Sequence, residues 1–213
     1  MIHAYDKIYL SHARTSLARM LDFAVYDLHY DLSTFYEMFL KSSVSEKFQR
    51  GDYTVVVGRS GVELAYMVIE DVEKRSCYIK PEFTTERRQE YWLGWALAYY
   101  QWETGLSFEE ITKQVPIEDI RALYSPYHEM DIRQFVDKMN ELYRAAMPET
   151  NLKRRRLEAG FSQSQLAEMT GIPVRTIQQY EQRQKDINKA QVQYLIVLAQ
   201  ALCCRVEELV ERV

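Results

Sequence analysis

The chain of 213 residues is long enough for one large domain or two small ones, and 47% of its residues are hydrophobic, so real cores can be buried. Only 7 Gly and 5 Pro occur, which argues against a loop-rich all-β fold and favours long helices. No apolar run approaches the roughly 20 residues that a membrane-spanning helix needs, so a membrane protein is not expected.

Taken over the whole chain, the formal net charge of −4 argues against nucleic-acid binding, but the charge is unevenly distributed. Residues 1–150 contain 17 Lys and Arg against 24 Asp and Glu, a net charge of −7. Residues 151–213 contain 10 against 7, a net charge of +3. This asymmetry is typical of a nucleic-acid-binding segment on an acidic body, although chance variation among solvated surfaces would explain it equally well.

The first residues and the cysteines indicate the cellular compartment. Residues 1–7 lack the basic start and apolar core of a signal peptide, so no targeting segment is expected there. Three cysteines are an odd number, and Cys203 and Cys204 are adjacent, so a disulfide framework is not expected. A cytoplasmic location, where thiols stay reduced, suits this composition best.

The N-terminal part of the chain begins with predicted helices. Apolar periodicity predicts a helix over residues 5–29, and a second helix is expected to begin after Ser33 and to carry Phe35 and Phe39. The β-branched stretch 53–58 has the composition of a short strand, but no second strand is predicted to pair with it. We therefore interpret this stretch as a buried connector.

Two capping boxes mark the starts of further helices. In each box a serine hydroxyl accepts from the backbone three residues later, and a glutamate at that position reaches back to the serine. Ser60 with Glu63 predicts a helix that continues to about Lys74. Ser107 with Glu110 predicts another helix start.

The remaining helices of this half lead to a boundary. A polar loop over residues 76–84 precedes a long helix predicted from about Glu86 to Glu103, and Pro116 suits the first turn of a short helix. An apolar stripe over residues 132–146 predicts the last helix. Residues 147–150, which include a proline, break that helix and mark the domain boundary.

Residues 163–182 have the pattern of two short helices joined by a tight turn, with the second helix exposed. Ser162 and Gln165 form a capping box at the first helix. Gly171 is expected to end that helix in the left-handed conformation, and Pro173 precedes the second helix. The inward-facing positions hold four apolar side chains: Leu166, Ile172, Ile177 and Tyr180.

The outer face of the second helix and its flanks carry groups that suit nucleic acid. Arginine and glutamine side chains hydrogen-bond base edges in the major groove. The exposed positions of the second helix are Val174, Arg175, Gln178, Gln179 and Gln182.

A preceding helix over residues 152–159 contains the basic run 153–156. After the motif, the residues placed where phosphates would pass are Arg183, Lys185, Asn188 and Lys189. Asn188 with Gln191 is expected to cap a fourth helix, and a fifth carries Val206 and Leu209.

The segment from residue 151 to about 210 resembles the lambda-repressor-like, or XRE, family of phage and bacterial regulators. The residues that carry the resemblance are Phe161-Ser162-Gln163, Leu166-Ala167-Glu168, Gly171-Ile172, Ile177 and Tyr180-Glu181. The resemblance implies a five-helix fold whose third helix enters the major groove. This chain departs from the usual pattern at Pro173, often a serine, and at Arg183, usually a glycine, and neither departure is expected to break the fold.

The resemblance also assigns roles to residues of this chain. The base-facing positions correspond to Val174, Arg175 and Gln179, and we add the neighbouring Gln178. Gln163 corresponds to a position that contacts the DNA backbone and braces the recognition helix. The full set of residues expected at the DNA backbone is Gln163, Thr176, Arg183, Lys185 and Asn188.

The N-terminal half resembles the extension attached to such modules in bacterial proteins from toxin–antitoxin-like loci. The stretch that carries this likeness is the aromatic cluster at residues 91–102, which contains all three tryptophans. Aromatic residues spaced so densely cannot all face one core. The helix is therefore either central and buried on all sides, or part of it meets a partner or ligand.

Catalytic and metal-binding interpretations have less support. Ser60 lies in Gly-Arg-Ser-Gly, which lacks the spacing of a nucleophile elbow, and the capping box explains this serine better. The four histidines show no metal-binding spacing. Cys203 and Cys204 are expected to be small buried groups before the last helix, with redox sensing as the alternative.

We therefore expect an all-α cytoplasmic protein with no enzymatic activity, cofactor or metal. Residues 1–147 form an acidic helical domain for a partner, a ligand or dimerisation, and residues 150–213 bind DNA. The expected function is that of a homodimeric repressor, with an antitoxin-like partner protein held by the acidic domain. The alternatives are a ligand-responsive repressor with a pocket beside the 91–102 helix and, with least support, an enzyme fused to a regulator.

Overall fold

Apolar residues at helical spacing run through the whole sequence, and the computed structural model, which describes residues 3–76, 78–82 and 87–211, shows the result. Every regular element in these ranges is a helix, which confirms the expected all-α class. The chain divides into two units, residues 1–143 and 144–213. Each unit has a hydrophobic core of its own.

The first unit is built from ten α-helices among the described residues. After a 3-10 turn at Lys7–Tyr9 they are α1 (Leu10–Tyr26), α2 (Leu32–Lys41), α3 (Ser43–Gln49), α4 (Tyr53–Val56), α5 (Gly61–Glu73), α6 (Gln89–Thr104), α7 (Phe108–Gln114), α8 (Ile117–Ala122), α9 (Tyr124–Tyr127) and α10 (Ile132–Ala146). The last residues of α10 cross into the second unit.

The second unit is smaller and its helices are short. They are α11 (Asn151–Glu158), α12 (Gln163–Thr170), α13 (Val174–Glu181) and α14 (Val192–Ala201), with 3-10 turns at Ile187–Lys189 and Val206–Glu208. The fifth helix expected from the sequence is therefore the last of these 3-10 turns, and Leu209, which follows it, is fully buried.

The aromatic helix α6 lies at the centre of the first unit. Ten of its 16 residues are buried, whereas Tyr91, Trp95 and Tyr99 remain half-buried along one side, so α6 is central but is not buried on all sides. It packs against α1 at Gly94, where a Cβ atom would lie 2.6 Å from the carbonyl oxygen of Leu17 and 2.7 Å from Cα of Ala18. The absence of a side chain at this position sets the distance between the two helices. The predicted start at Glu86 lies outside the described residues, and α6 begins at Gln89.

Local capping signals were accurate guides to helix starts. Ser60, Ser107 and Ser162 each form the predicted capping box, with both reciprocal hydrogen bonds present. The stretch 53–58 is different from the expected connector, because residues 53–56 form a single helical turn. The side chain of Asp52 caps this turn by accepting from the backbone N–H of Thr54. This cap and the burial of Val55 and Val56 outweigh the β-propensity of the stretch.

Two further expectations were wrong. Gln191 is the N-cap of α14, but no side chain caps that helix, and Asn188 bonds elsewhere. Cys203 is exposed with φ of +50°, because it occupies the left-handed position that follows α14. Cys204 is half-buried, and burial raises the pKa of its thiol, which lowers its reactivity.

None of the described helices combines the length and the apolar composition that a membrane span requires.

Candidate nucleic-acid interface

Helices α12 and α13 and the three residues between them form the predicted helix-turn-helix. Gly171 ends α12 with φ of +70°, and its N–H donates to the carbonyl oxygen of Ala167 at 2.9 Å. A Cβ at Gly171 would meet no atom within 4 Å, so the glycine is needed for its backbone conformation and not for space. Ile172 is buried in the turn, and Pro173 precedes α13 with φ of −55°.

One face of α13 packs into the core of the second unit. Ile177 and Tyr180 are buried there, together with Leu166 of α12 and Leu198 of α14. All four inward positions expected from the sequence, Ile172 included, are therefore buried. This packing fixes which side of α13 remains available to a ligand.

The opposite face of α13 presents the residues expected to read bases. Arg175 is exposed in the first turn and has no hydrogen-bond or ion-pair partner among residues 3–76, 78–82 and 87–211. Val174, Thr176, Gln178 and Gln179 are partly exposed on the same short helix. A free guanidinium at the start of an exposed helix can donate two hydrogen bonds to a guanine edge.

Gln163 lies at the start of α12 and links it to α13. Its amide nitrogen Nε2 donates to Oε2 of Glu181 at 2.7 Å, and Nε2 of Gln178 donates to its Oε1 at 3.4 Å. Gln163 is therefore placed to brace α13, as the resemblance implies. The same contact holds the side-chain amide of Gln178, which the sequence predicts to contact DNA bases.

A buried ion pair that the sequence did not reveal anchors α13 to α11. Arg156 and Glu181 are 6% and 7% exposed, and two hydrogen bonds of 2.6 and 2.9 Å join them. A third hydrogen bond, 2.7 Å long, runs from Arg156 to the carbonyl oxygen of Phe161. The hydrogen bond with Glu181 raises the pKa of Arg156, so the guanidinium stays charged in this buried setting.

A sequence signal for this pair exists. Arg156 follows Leu152 by four residues, which places both side chains on the same helical face. Since Leu152 is fully buried, an arginine on that face requires an acidic partner inside the core. Glu181 was recognised only through the family resemblance, and its partner lies 25 residues away in sequence.

The rest of the basic run is mostly neutralised within the second unit. Lys153 pairs with Glu149 at 2.7 Å. Arg155 pairs with Glu158 and with Glu208. Arg154 is exposed and bonds Asn151 Oδ1 at 3.0 Å, and it forms no ion pair in the described part of the chain. Arg154 is thus the member of the run that is free to meet a phosphate.

Two of the residues expected at the DNA backbone fasten the end of the chain to the module. Arg183 donates to the carbonyl oxygen of Pro148 at 2.8 Å and contacts Glu211 at 3.3 Å. The side chain of Asn188 exchanges two hydrogen bonds with the backbone of Glu211, at 2.7 and 2.9 Å. Lys185, by contrast, is exposed and forms no ion pair with any residue in the described ranges.

The conformation and contacts of Arg183 explain how an arginine can occupy a position where the family usually has glycine. Its φ is +53°, a left-handed conformation in which glycine is unstrained. The turn after α13 therefore keeps the shape that the usual glycine gives. An arginine costs on the order of 1 kcal/mol there, and its contacts with Pro148 and Glu211 offset that cost.

Among the described residues, no group of three or more His, Cys, Asp or Glu side chains is placed to hold a metal ion. Beside α6 lies a pocket of about 200 Å³, below the ~300–1,000 Å³ typical of small-molecule sites. Its lining consists of Arg87, Tyr91, Trp92, Trp95, Tyr124 and His128.

Comparison with known proteins agrees with this geometry. The family described as Helix-turn-helix matches residues 152–209, so the second unit contains a helix-turn-helix module. No curated protein and no solved structure matches the chain. The family match does not reach residues 1–151, and the likeness of the first unit to toxin–antitoxin extensions stays a prediction.

Proposed function

We propose that this protein is a sequence-specific transcriptional repressor that reads operator DNA with residues 174–182. The observation that carries the proposal is the placement of Arg175, exposed and without a protein partner in the described ranges, on a helix whose other face is packed and pinned by Glu181. A recognition helix must be both exposed and held rigidly, because base contacts depend on its orientation.

The proposed mechanism is steric, since an occupied operator blocks polymerase. One module offers one recognition helix, and two modules on a two-fold axis would read half-sites about 34 Å apart. We therefore propose a cytoplasmic homodimer. The first unit makes up most of residues 1–150, whose net charge is −7. It would hold a partner protein in the manner of an antitoxin.

The roles of Arg175 and Lys185 predict different effects on binding. Arg175→Ala should weaken operator binding by about 1–3 kcal/mol and relax the preference at one base position, because a base contact is lost. Lys185→Ala should weaken binding to all sequences alike and reduce the slope against log salt by about one unit, because one phosphate contact is lost. Mobility shifts on a selected operator and on scrambled DNA, at several salt concentrations, measure both effects.

Lys113→Ala provides the matched control, because Lys113 is an exposed lysine in the last turn of α7 in the other unit. It should leave both affinity and salt slope unchanged. If Arg175→Ala and Lys185→Ala reduced binding to operator and scrambled DNA in equal proportion, Arg175 would not read a base, and the assignment of α13 as the recognition helix would be lost.

We predict that the second unit binds DNA by itself and that the first unit does not. A fragment of residues 147–213 keeps Pro148, which accepts from Arg183, and Thr150, which caps α11, so it should fold and bind operator weakly. A fragment of residues 1–143 should fold on its own core and leave DNA unbound, because its acidic residues repel phosphate. Pairing of two modules should make the intact protein bind more tightly than fragment 147–213.

Sedimentation and operator titration of both fragments test this division. A fragment 147–213 that is already dimeric and binds as tightly as the whole chain would remove dimerisation from the first unit. Operator binding by fragment 1–143 would contradict the division altogether.

The second candidate function is a ligand-responsive repressor. It is favoured by a groove beside the C-terminal end of α6 that is larger than the pocket beside its N-terminal end.

A further inference from the structure

We infer that the first unit binds a small organic anion, a phosphate monoester or a carboxylate, in a groove formed by α1, α6, α10 and the residues before α1. The groove has a volume of about 610 Å³, within the ~300–1,000 Å³ range of small-molecule sites. Its basic lining residues are His3, Lys7, Arg14 and Arg133, and its acidic ones are Glu103 and Asp137.

The balance of charge in the groove is positive although the unit around it is acidic. Lys7, Arg14 and Arg133 form no ion pair with any residue in the described ranges. Glu103 faces His3, with 3.8 Å between the carboxylate oxygen and Nδ1. Three unpaired cations against two carboxylates leave an excess that one bound anion would neutralise.

Arg14 is the group that most needs such a partner. Its guanidinium carbon lies 3.2 Å from the ring centroid of Trp95 and 4.8 Å from that of Tyr99, and Nε donates to the carbonyl oxygen of Trp95 at 3.4 Å. Nη2 is buried and has no hydrogen-bond partner among the described residues. Desolvation lowers the pKa of Arg14 to about 10, so the group is still cationic at neutral pH.

An unpaired buried donor on a charged group is destabilising. The aromatic rings hold the guanidinium of Arg14 in one orientation beside the groove that it lines, where a bound anion would balance its positive charge.

The lining also indicates the rest of the ligand. Leu10 and Val136 contribute apolar surface beside the cations, so the ligand should carry a compact apolar group next to its anionic one. A polyanion such as DNA is disfavoured here, because the surrounding unit repels it over longer distances. The inference does not depend on the proposed function, since the groove lies wholly within the first unit.

Titration of the full-length protein with phenyl phosphate, benzoate and inorganic phosphate tests the inference by nuclear magnetic resonance. The reporters are Nε–H of Arg14 and Nε1–H of Trp102, which donates to the carbonyl oxygen of Tyr5 at 2.8 Å. We expect a saturable shift of both signals with phenyl phosphate or benzoate, and weaker binding of inorganic phosphate, which lacks the apolar group. The relative affinities of phenyl phosphate and benzoate identify which anion the groove prefers.

Arg133→Gln is the informative variant, because Arg133 is exposed and its removal should leave the fold intact. It should weaken binding by about fivefold, the upper range for an exposed ion pair, whereas Lys113→Gln on α7 should change it less than twofold. Arg175→Ala should bind the anion normally, which separates this result from any failure of DNA recognition. Linear, non-saturating shifts, or equal effects of Arg133→Gln and Lys113→Gln, would overturn the inference.

Discussion

Arg156→Met in the intact protein should destabilise the second unit by about 3–5 kcal/mol, because it leaves the carboxylate of Glu181 buried without its cation. Operator binding should be lost with it, since Glu181 holds both Arg156 and the amide of Gln163 at the inner side of α13. Hydrogen exchange, followed separately for α11–α14 and for α1–α10, would show faster exchange confined to the second unit.

Two further variants separate the ion pair from its individual members. Arg154→Met, two positions away but exposed, should leave stability within about 0.5 kcal/mol. The double variant Arg156→Met with Glu181→Leu should recover much of the stability, because apolar replacements of a buried pair are often neutral or stabilising. If Arg156→Met alone were as stable as the parent protein, the pair would not be the anchor of α13.

Gly94→Ala should destabilise the first unit strongly. The new Cβ would lie 2.6 Å from a carbonyl oxygen and 2.7 Å from Cα of α1, and neither backbone atom can move without shifting the helix. Overpacking of this kind costs about 1–3 kcal/mol and sometimes more. We expect a lower melting temperature and faster hydrogen exchange in α1 and α6, with α11–α14 unaffected.

Gly160→Ala is the contrasting substitution. Gly160 has φ of +72°, but a Cβ there meets no atom within 4 Å. Its cost should therefore be only the roughly 1 kcal/mol of a left-handed alanine, and it should fall on the second unit. A Gly94→Ala protein that melts with the parent would show that α1 and α6 do not approach as closely as described.

Short-range signals made much of this fold predictable. Serine and an acidic or amide residue three positions later identified helix starts at Ser60, Ser107 and Ser162, and Gly171 took the conformation that its position required. In each case the interacting groups lie within one helical turn, so the sequence itself contains both partners.

Interactions between distant residues were not predictable in the same way. The partner of Arg156 is 25 residues away, and Arg183 and Asn188 bond to Glu211 near the end of the chain. A basic run looks the same in sequence whether its charges face solvent or acidic side chains. Arg183 and Asn188, which the sequence predicts to contact DNA phosphates, therefore have a structural role that only the fold could show.

The position of the tryptophans has a practical consequence for spectroscopy. All three lie on α6, so the intrinsic tryptophan fluorescence of the intact protein arises entirely from the first unit. The second unit has tyrosine but no tryptophan, and its unfolding is silent in that signal. Unfolding followed in parallel by tryptophan emission and by far-ultraviolet circular dichroism would therefore assign a transition to each unit without any introduced label.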